Sequence, residues 1–99
     1  MTQFVKSDIE QILQLRIQLD TQYQVMPTDT FRDNLMKKAI RLYVVRHQAR
    51  LIAYSYFTRT TTTIHLQELV VSSLFRRRGI ARAIIKHFQS RARIKRIAT

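Results

Sequence analysis

The chain has no cysteine among its 99 residues, which excludes a disulfide framework and any thiolate metal site. Its three histidines, His47, His65 and His87, have no ligand-like spacing, so no metal centre is expected. Glycine occurs once, at Gly79, and proline once, at Pro27. No apolar run approaches the roughly 20 residues that a membrane span needs, so a membrane partner is not expected. The opening MTQFVKSDIEQ lacks the apolar core and cleavage site of a secretory signal, which makes the cytoplasm the simplest location. Acids are scarce: Asp and Glu number six against 18 Lys and Arg, for a net charge of +12. All six (Asp8, Glu10, Asp20, Asp29, Asp33 and Glu68) precede residue 76, whereas residues 76–99 hold nine of the basic side chains. A field of this sign concentrates anions, whether phosphates of a small cofactor, nucleic acid or an acidic protein. The alternative is a solvated basic face kept for solubility.

What is present is ordinary globular material, 45% apolar and 24% charged, and the length suits a single domain over residues 1–99. A short strand is expected around Gln3 to Val5. SDIE (7–10) fits a capping box, with Ser7 capping and Glu10 reaching back, and Ile9, Ile12, Leu13 and Ile17 fall on one face of a helix over about 8–22. After Pro27 a shorter helix follows, capped by Thr28, Asp29 or Thr30, with Phe31, Leu35 and Met36 on one face. From Arg41 the pattern changes to strand-like runs, RLYVVRH and RLIAYSYFTR, joined near Gln48 to Arg50 by a turn lacking the usual glycine or asparagine. IHLQELVV (64–71) gives a third strand. Helical spacing returns with Ile80, Ile84, Phe88 and Ala92, and IKRIAT offers a possible last strand. This order predicts an α+β fold, mainly an antiparallel sheet with flanking helices.

The single glycine stands where strand gives way to helix, in FRRRGIARAI (75–84). A helix starting near Gly79 leaves its first backbone N–H groups unpaired and carries partial positive charge, so the turn is a natural anion site. Glycine there lets the backbone approach a phosphate closely or adopt positive φ. Arg76, Arg77 and Arg78 add side-chain charge.

The wider stretch LQELVVSSLFRRRGIARAII resembles the acetyl-coenzyme A binding motif of the GNAT N-acetyltransferase superfamily, in which an apolar strand end leads into [Arg/Gln]-x-x-Gly-x-[Gly/Ala] at a helix start. Here that pattern reads Arg76-Arg77-Arg78-Gly79-Ile80-Ala81. The resemblance implies a GNAT-like fold with acetyl-CoA as cosubstrate. The backbone amides of Arg77, Arg78, Gly79, Ile80, Ala81 and Arg82 would cradle the pyrophosphate. Leu69, Val70 and Val71 would pair with the pantetheine arm, and Arg76 would join the basic side chains around the adenosine phosphate. It further implies direct attack of a substrate amine, a β-bulge that splays the strand, and Glu68 as general base. Glu68 also fits a strand-surface carboxylate paired with an arginine; were Gln67 the inward residue, no local base would exist.

The family usually continues with a further strand, a helix carrying a tyrosine that protonates the thiolate, and closing strands. The chain is therefore expected to be a short form with that C-terminal part missing, and a homodimer that completes each half-cleft is expected from the open edge at 94–98. Tyr23, Tyr43, Tyr54 and Tyr56 suit the core or the hairpin faces. Three functions follow: an N-acetyltransferase acting on a small-molecule or peptide amine, a non-catalytic CoA-binding module, and a basic nucleic-acid binder. A polyamine or lysine-rich acceptor is disfavoured because like charges repel.

Overall fold

The segment RLIAYSYFTR forms the central strand of a five-stranded sheet in the computed structural model, which describes the backbone of residues 1–91 and 96–98 and the side chains of residues 1–89. In chain order the elements are β1 (Thr2–Gln3), α1 (Ile9–Arg16), α2 (Thr28–Met36), β2 (Arg41–His47), β3 (Arg50–Arg59), β4 (Thr63–Val71), α3 (Ile80–Arg91) and β5 (Arg96–Ala98). The spatial order is β1-β2-β3-β4-β5; β1 to β4 pair antiparallel, and β5 runs parallel to the start of β4. This is the mainly antiparallel α+β arrangement expected from the element order. Ala92 lies outside the described residues.

Strand alternation divides β3 between two cores. Tyr54 and Tyr56 face α1 and α2, where they join Ile12, Leu13, Phe31, Leu35, Leu42, Val44 and Val70. Ala53 and Phe57 face α3, which seats Ile84 and Phe88 against them and Ile64. Phe31 is wholly buried and its ring centroid lies 6.2 Å from those of both tyrosines. Truncating it to alanine would cost about 3–5 kcal/mol.

The first helix differs from its expected form. Ser7 belongs to a 3-10 turn, Lys6–Asp8, and the reciprocal cap is made by Val5 and Asp8: the Val5 N–H donates to Asp8 Oδ2 at 2.8 Å, and the Asp8 N–H to Val5 O at 2.8 Å. Glu10 pairs instead with Arg32 on the surface, at 3.4 Å. Helix α1 stops at Arg16 because Gln18 and Leu19 bond back three residues, and Asp20 then opens a new 3-10 turn by accepting from the Gln22 N–H at 3.2 Å. Ile17 is 74% exposed. The buried stripe runs Ile9, Ile12, Leu13 and then Arg16, so an arginine holds the position expected of an isoleucine. In α2, Phe31 and Leu35 are buried while Met36 is exposed.

Both hairpin strands have the bounds expected from the sequence. Their two-residue turn places Gln48 and Ala49 at φ of 51° and 65°, the primed turn that matches strand twist, built here without glycine. Two bulges interrupt the register. Ile52 is the extra residue of β3 opposite β2, and Gln67 the extra residue of β4 opposite β3.

Candidate active site

Among the described residues, strand β4 is flanked on both sides at Thr63–His65, where β5 pairs with it. From Gln67 to Val71 its one described neighbour is β3, and the bulge at Gln67 marks where the two regimes meet. A bulge bends a strand and increases its local twist. The Ser72 N–H donates to Ile52 O at 2.8 Å. Antiparallel alternation then points the main-chain groups of Val70 and Glu68 toward β3 and those of Leu69 and Val71 outward. One outward acceptor is taken: Arg76 Nε donates to Val71 O at 3.1 Å.

The chain leaves β4 through a 3-10 turn, Ser73–Phe75, and an extended Arg76; Arg77 then adopts φ of 64° and Gly79 φ of 76° before α3 begins. A Cβ on Gly79 would meet no atom within 4 Å, so the left-handed backbone, not crowding, calls for glycine. The Ala83 N–H donates to Gly79 O at 2.9 Å. The N–H groups of Ile80, Ala81 and Arg82 are thus left without intrahelical acceptors at the positive end of the helix.

Strand edge and turn enclose one groove of about 720 Å³, and Leu69, Val70, Val71, Arg76, Arg77, Gly79, Ile80, Ala81 and Arg82 all line it. Arg78 does not: its guanidinium lies over the Phe75 ring, 5.1 Å from the centroid. Gln18 and Leu19, which follow α1, form the opposite wall. Gln18 Oε1 accepts from the Ser73 N–H at 3.0 Å and from Arg76 Nη2 at 3.4 Å, tying the exit of α1 to the turn. No local pattern around Gln18 announces this role, because its partners lie more than 50 residues away in the chain. A larger groove of about 1010 Å³, lined by Arg41, Tyr43, Phe57, Arg59 and Phe88 among others, contains none of the expected site residues. Among the described residues no group of three or more His, Cys, Asp or Glu could hold a metal ion.

Glu68 is placed differently from its expected role. Its side chain is fully buried, on the α1 and α2 face of the sheet. Arg16 grips it with both prongs, Nε to Oε1 at 3.0 Å and Nη2 to Oε2 at 2.9 Å. The Tyr54 hydroxyl donates to Oε1 at 2.7 Å and the Val25 N–H to Oε2 at 3.1 Å. Four donors fill the roughly four lone-pair sites of a carboxylate, and none remains for an incoming amine. In this arrangement Glu68 anchors β4 to α1 and to the α1 to α2 connection. Burial, and then the Glu68 charge, push the Tyr54 hydroxyl far above its ordinary range, so it stays protonated as a donor. The same two causes raise Tyr56. Arg16 completes the knot with Thr28 Oγ1 at 3.2 Å and Met26 O at 2.5 Å, which pins both ends of the α1 to α2 connection to β4.

Residues 7–99 match the sequence model of the family described as Acetyltransferase (GNAT) domain. No curated protein matches the chain. Among solved structures, the apo aminoglycoside antibiotic 6'-N-acetyltransferase AAC(6')-IG from Acinetobacter haemolyticus superposes with a TM-score of 0.76 at 15% identity, over 98% of this chain and 75% of that one. The ribosomal-protein-alanine N-acetyltransferase from Brucella melitensis biovar Abortus 2308 gives 0.71 at 15% identity, over 98% and 76%. AAC(6')-Iy, in complex with the bisubstrate analog CoA-S-monomethyl-acetylneamine, gives 0.68 at 17% identity, over 97% and 74%. At these identities the likeness is one of fold. The family match covers nearly the whole chain, and with the strand, the glycine turn and the helix start arranged as described, the chain belongs to the GNAT acetyltransferase family.

Proposed function

We propose that the chain is an acetyl-CoA-dependent N-acetyltransferase in which a substrate amine attacks the thioester directly. The observation that carries this is the joining, in one groove, of the outward row of β4 with the amide-rich, arginine-lined turn at Gly79. The backbone N–H groups of Arg77 to Arg82 hold the pyrophosphate, and Arg76 and its neighbours draw the adenosine phosphate. Leu69 to Val71 receive the pantetheine arm as an added strand, with the thioester toward the bulge at Gln67. Acetyl-CoA brings the activated acetyl group: a C–N bond forms, the C–S bond breaks, and the proton lost by the amine ends on sulfur. The neighbours' complexes with CoA and a bisubstrate analog support this choice of cosubstrate.

With Glu68 fully engaged, the proton of the amine is taken up by water before it ends on sulfur. A second reading, a CoA-binding module without turnover, is favoured by one observation: no carboxylate and no histidine lines the groove. A homodimer is proposed because the outer edge of β5 has no partner among the described residues; sedimentation velocity tests it. Cytoplasmic placement is proposed from the sequence alone, and among the described residues no helix is long and apolar enough to cross a membrane.

Calorimetric titration with acetyl-CoA, CoA and ATP tests the site. Acetyl-CoA and CoA are expected to bind at least about tenfold more tightly than ATP, and Gly79→Val to remove that preference, because a branched residue resists φ of 76° and its side chain enters the phosphate space. Equal binding of ATP would reduce the turn to basic surface. Thiol release with an amine then separates enzyme from binding module.

A further inference from the structure

One side chain crosses the groove. Arg76 Nε donates to Val71 O at 3.1 Å, on the strand wall, and Arg76 Nη2 donates at 3.4 Å to Gln18 Oε1, on the opposite wall. Gln18 Oε1 is itself fixed by the Ser73 N–H at 3.0 Å. The bridge is easily formed, because Val71 and Arg76 are five residues apart and the 3-10 turn Ser73–Phe75 shapes the short loop that the bond closes. It is also weakly held. The contact is exposed to water, so it contributes no more than an ordinary hydrogen bond does after its exchange with solvent.

Two demands meet on the Val71 carbonyl. An unpaired strand edge is a template for a stray strand, and a cation laid against it blocks that pairing. An arm added to β4 pairs through the outward groups, and the outward carbonyls between Leu69 and Val71 are those two residues' own. The arm and Arg76 therefore compete for the same oxygen. A guanidinium gives up a neutral carbonyl readily for a phosphate, because a bond to an ionised acceptor is shorter and roughly twice as strong.

We infer that Arg76 is a specificity-determining latch: it covers the Val71 carbonyl, as the structure shows, and releases it to the arm when the donor brings a phosphate to receive the guanidinium. This rests on the acetyl-CoA reading above. A thioester without phosphate must break both bonds of Arg76 and offers the guanidinium nothing in their place. The latch thus selects for the far end of the donor at a point on the strand.

The test titrates acetyl-CoA and S-acetylpantetheine, which carries no phosphate, into wild type, Arg76→Ala and Arg76→Lys by calorimetry. Arg76 is exposed, so the variants are expected to fold, and circular dichroism checks that they do. Arg76→Ala is expected to bind acetylpantetheine roughly threefold to tenfold more tightly than wild type, the worth of a hydrogen bond that no longer has to be broken. The same variant is expected to bind acetyl-CoA roughly threefold to tenfold more weakly, because a phosphate partner is lost. Arg76→Lys keeps the charge but replaces two donor atoms by one, and should recover most of the acetyl-CoA affinity. A residue that only shapes the turn, or only supplies charge, does not move the two donors in opposite directions. Weaker binding of both, or no gain for acetylpantetheine, overturns the latch while leaving the CoA site standing. Wild-type protein that binds acetyl-CoA no better than ATP removes the acetyl-CoA reading itself, and this inference with it.

Discussion

Replacing Glu68 by glutamine is the obvious test of a catalytic base, and here it measures something else. The substitution keeps the shape but removes the charge, leaving Arg16 as a buried cation with only neutral partners: one amide oxygen, Thr28 Oγ1, Met26 O and the Phe31 ring. Breaking a buried, hydrogen-bonded ion pair from one side costs about 3–5 kcal/mol. A domain of this size has a total stability of roughly 5–15 kcal/mol. The melting temperature should fall by roughly 12–40 °C, at about 4–8 °C per kcal/mol. Urea unfolding followed by circular dichroism, on wild type, Glu68→Gln, Arg16→Met and the double variant Arg16→Met/Glu68→Leu, supplies the cycle. Both single variants should be strongly destabilised, whereas the double variant should recover much of the loss, because an apolar pair of similar volume removes both buried charges together. Activity must then be compared at a temperature where each variant is folded. A Glu68→Gln protein within about 1 kcal/mol of wild type, folded and yet without acyl transfer, would refute the anchor and restore the base.

Asp8 gives a pH-dependent contribution of known sign. The Arg46 guanidinium, 2.6 Å from Oδ2, holds its carboxyl below the usual range despite its burial. Its stabilisation is therefore fully present above the unfolded value, near pH 4, and is lost as pH falls through the lower folded value. Asp8→Asn should cost roughly 1–3 kcal/mol at pH 7, and urea midpoints of the two proteins should converge in acid. Ser55 is wholly buried and its Oγ has no partner among the described residues; Ser55→Ala should stabilise by about 1 kcal/mol, and a loss in the same denaturation assay would mean that the hydroxyl is satisfied. Ala49 sits at φ of 65° in the hairpin turn. Glycine there should stabilise by roughly 0.5–1 kcal/mol, seen as a higher urea midpoint.

The strands were legible because their information is local. Arg41–His47 alternates, Arg50–Arg59 is a run rich in aromatic and aliphatic residues buried from Leu51 to Phe57, and both are bounded by changes of pattern. The glycine turn was legible for the same reason, since strand end, arginines, glycine and helix face lie within about twenty consecutive residues. What escaped was non-local. Arg16 completes the apolar stripe of α1 only because Glu68, 52 residues away, neutralises it; a charge on a helix stripe otherwise reads as surface, which pushed the expected face on to Ile17. The end of α1 depends on the Asp20 turn, and the groove wall at Gln18 on a hydrogen bond to Ser73. Glu68 itself was found, but which face it takes depends on the bulge at Gln67, and no glycine or proline marks that bulge.

The half-free strand has a metric consequence. An extended backbone advances by a constant step, so Gln67 to Val71 is a length of roughly 13 Å. In the proposed binding mode an arm laid along it has a fixed gauge between phosphates held at the turn and the reacting carbon at the bulge. A thioester on a shorter carrier cannot reach both marks at once. Strand β4 is thus a ruler as well as a wall, and the groove should discriminate against truncated acyl donors by length, before any contact with the acyl group is made.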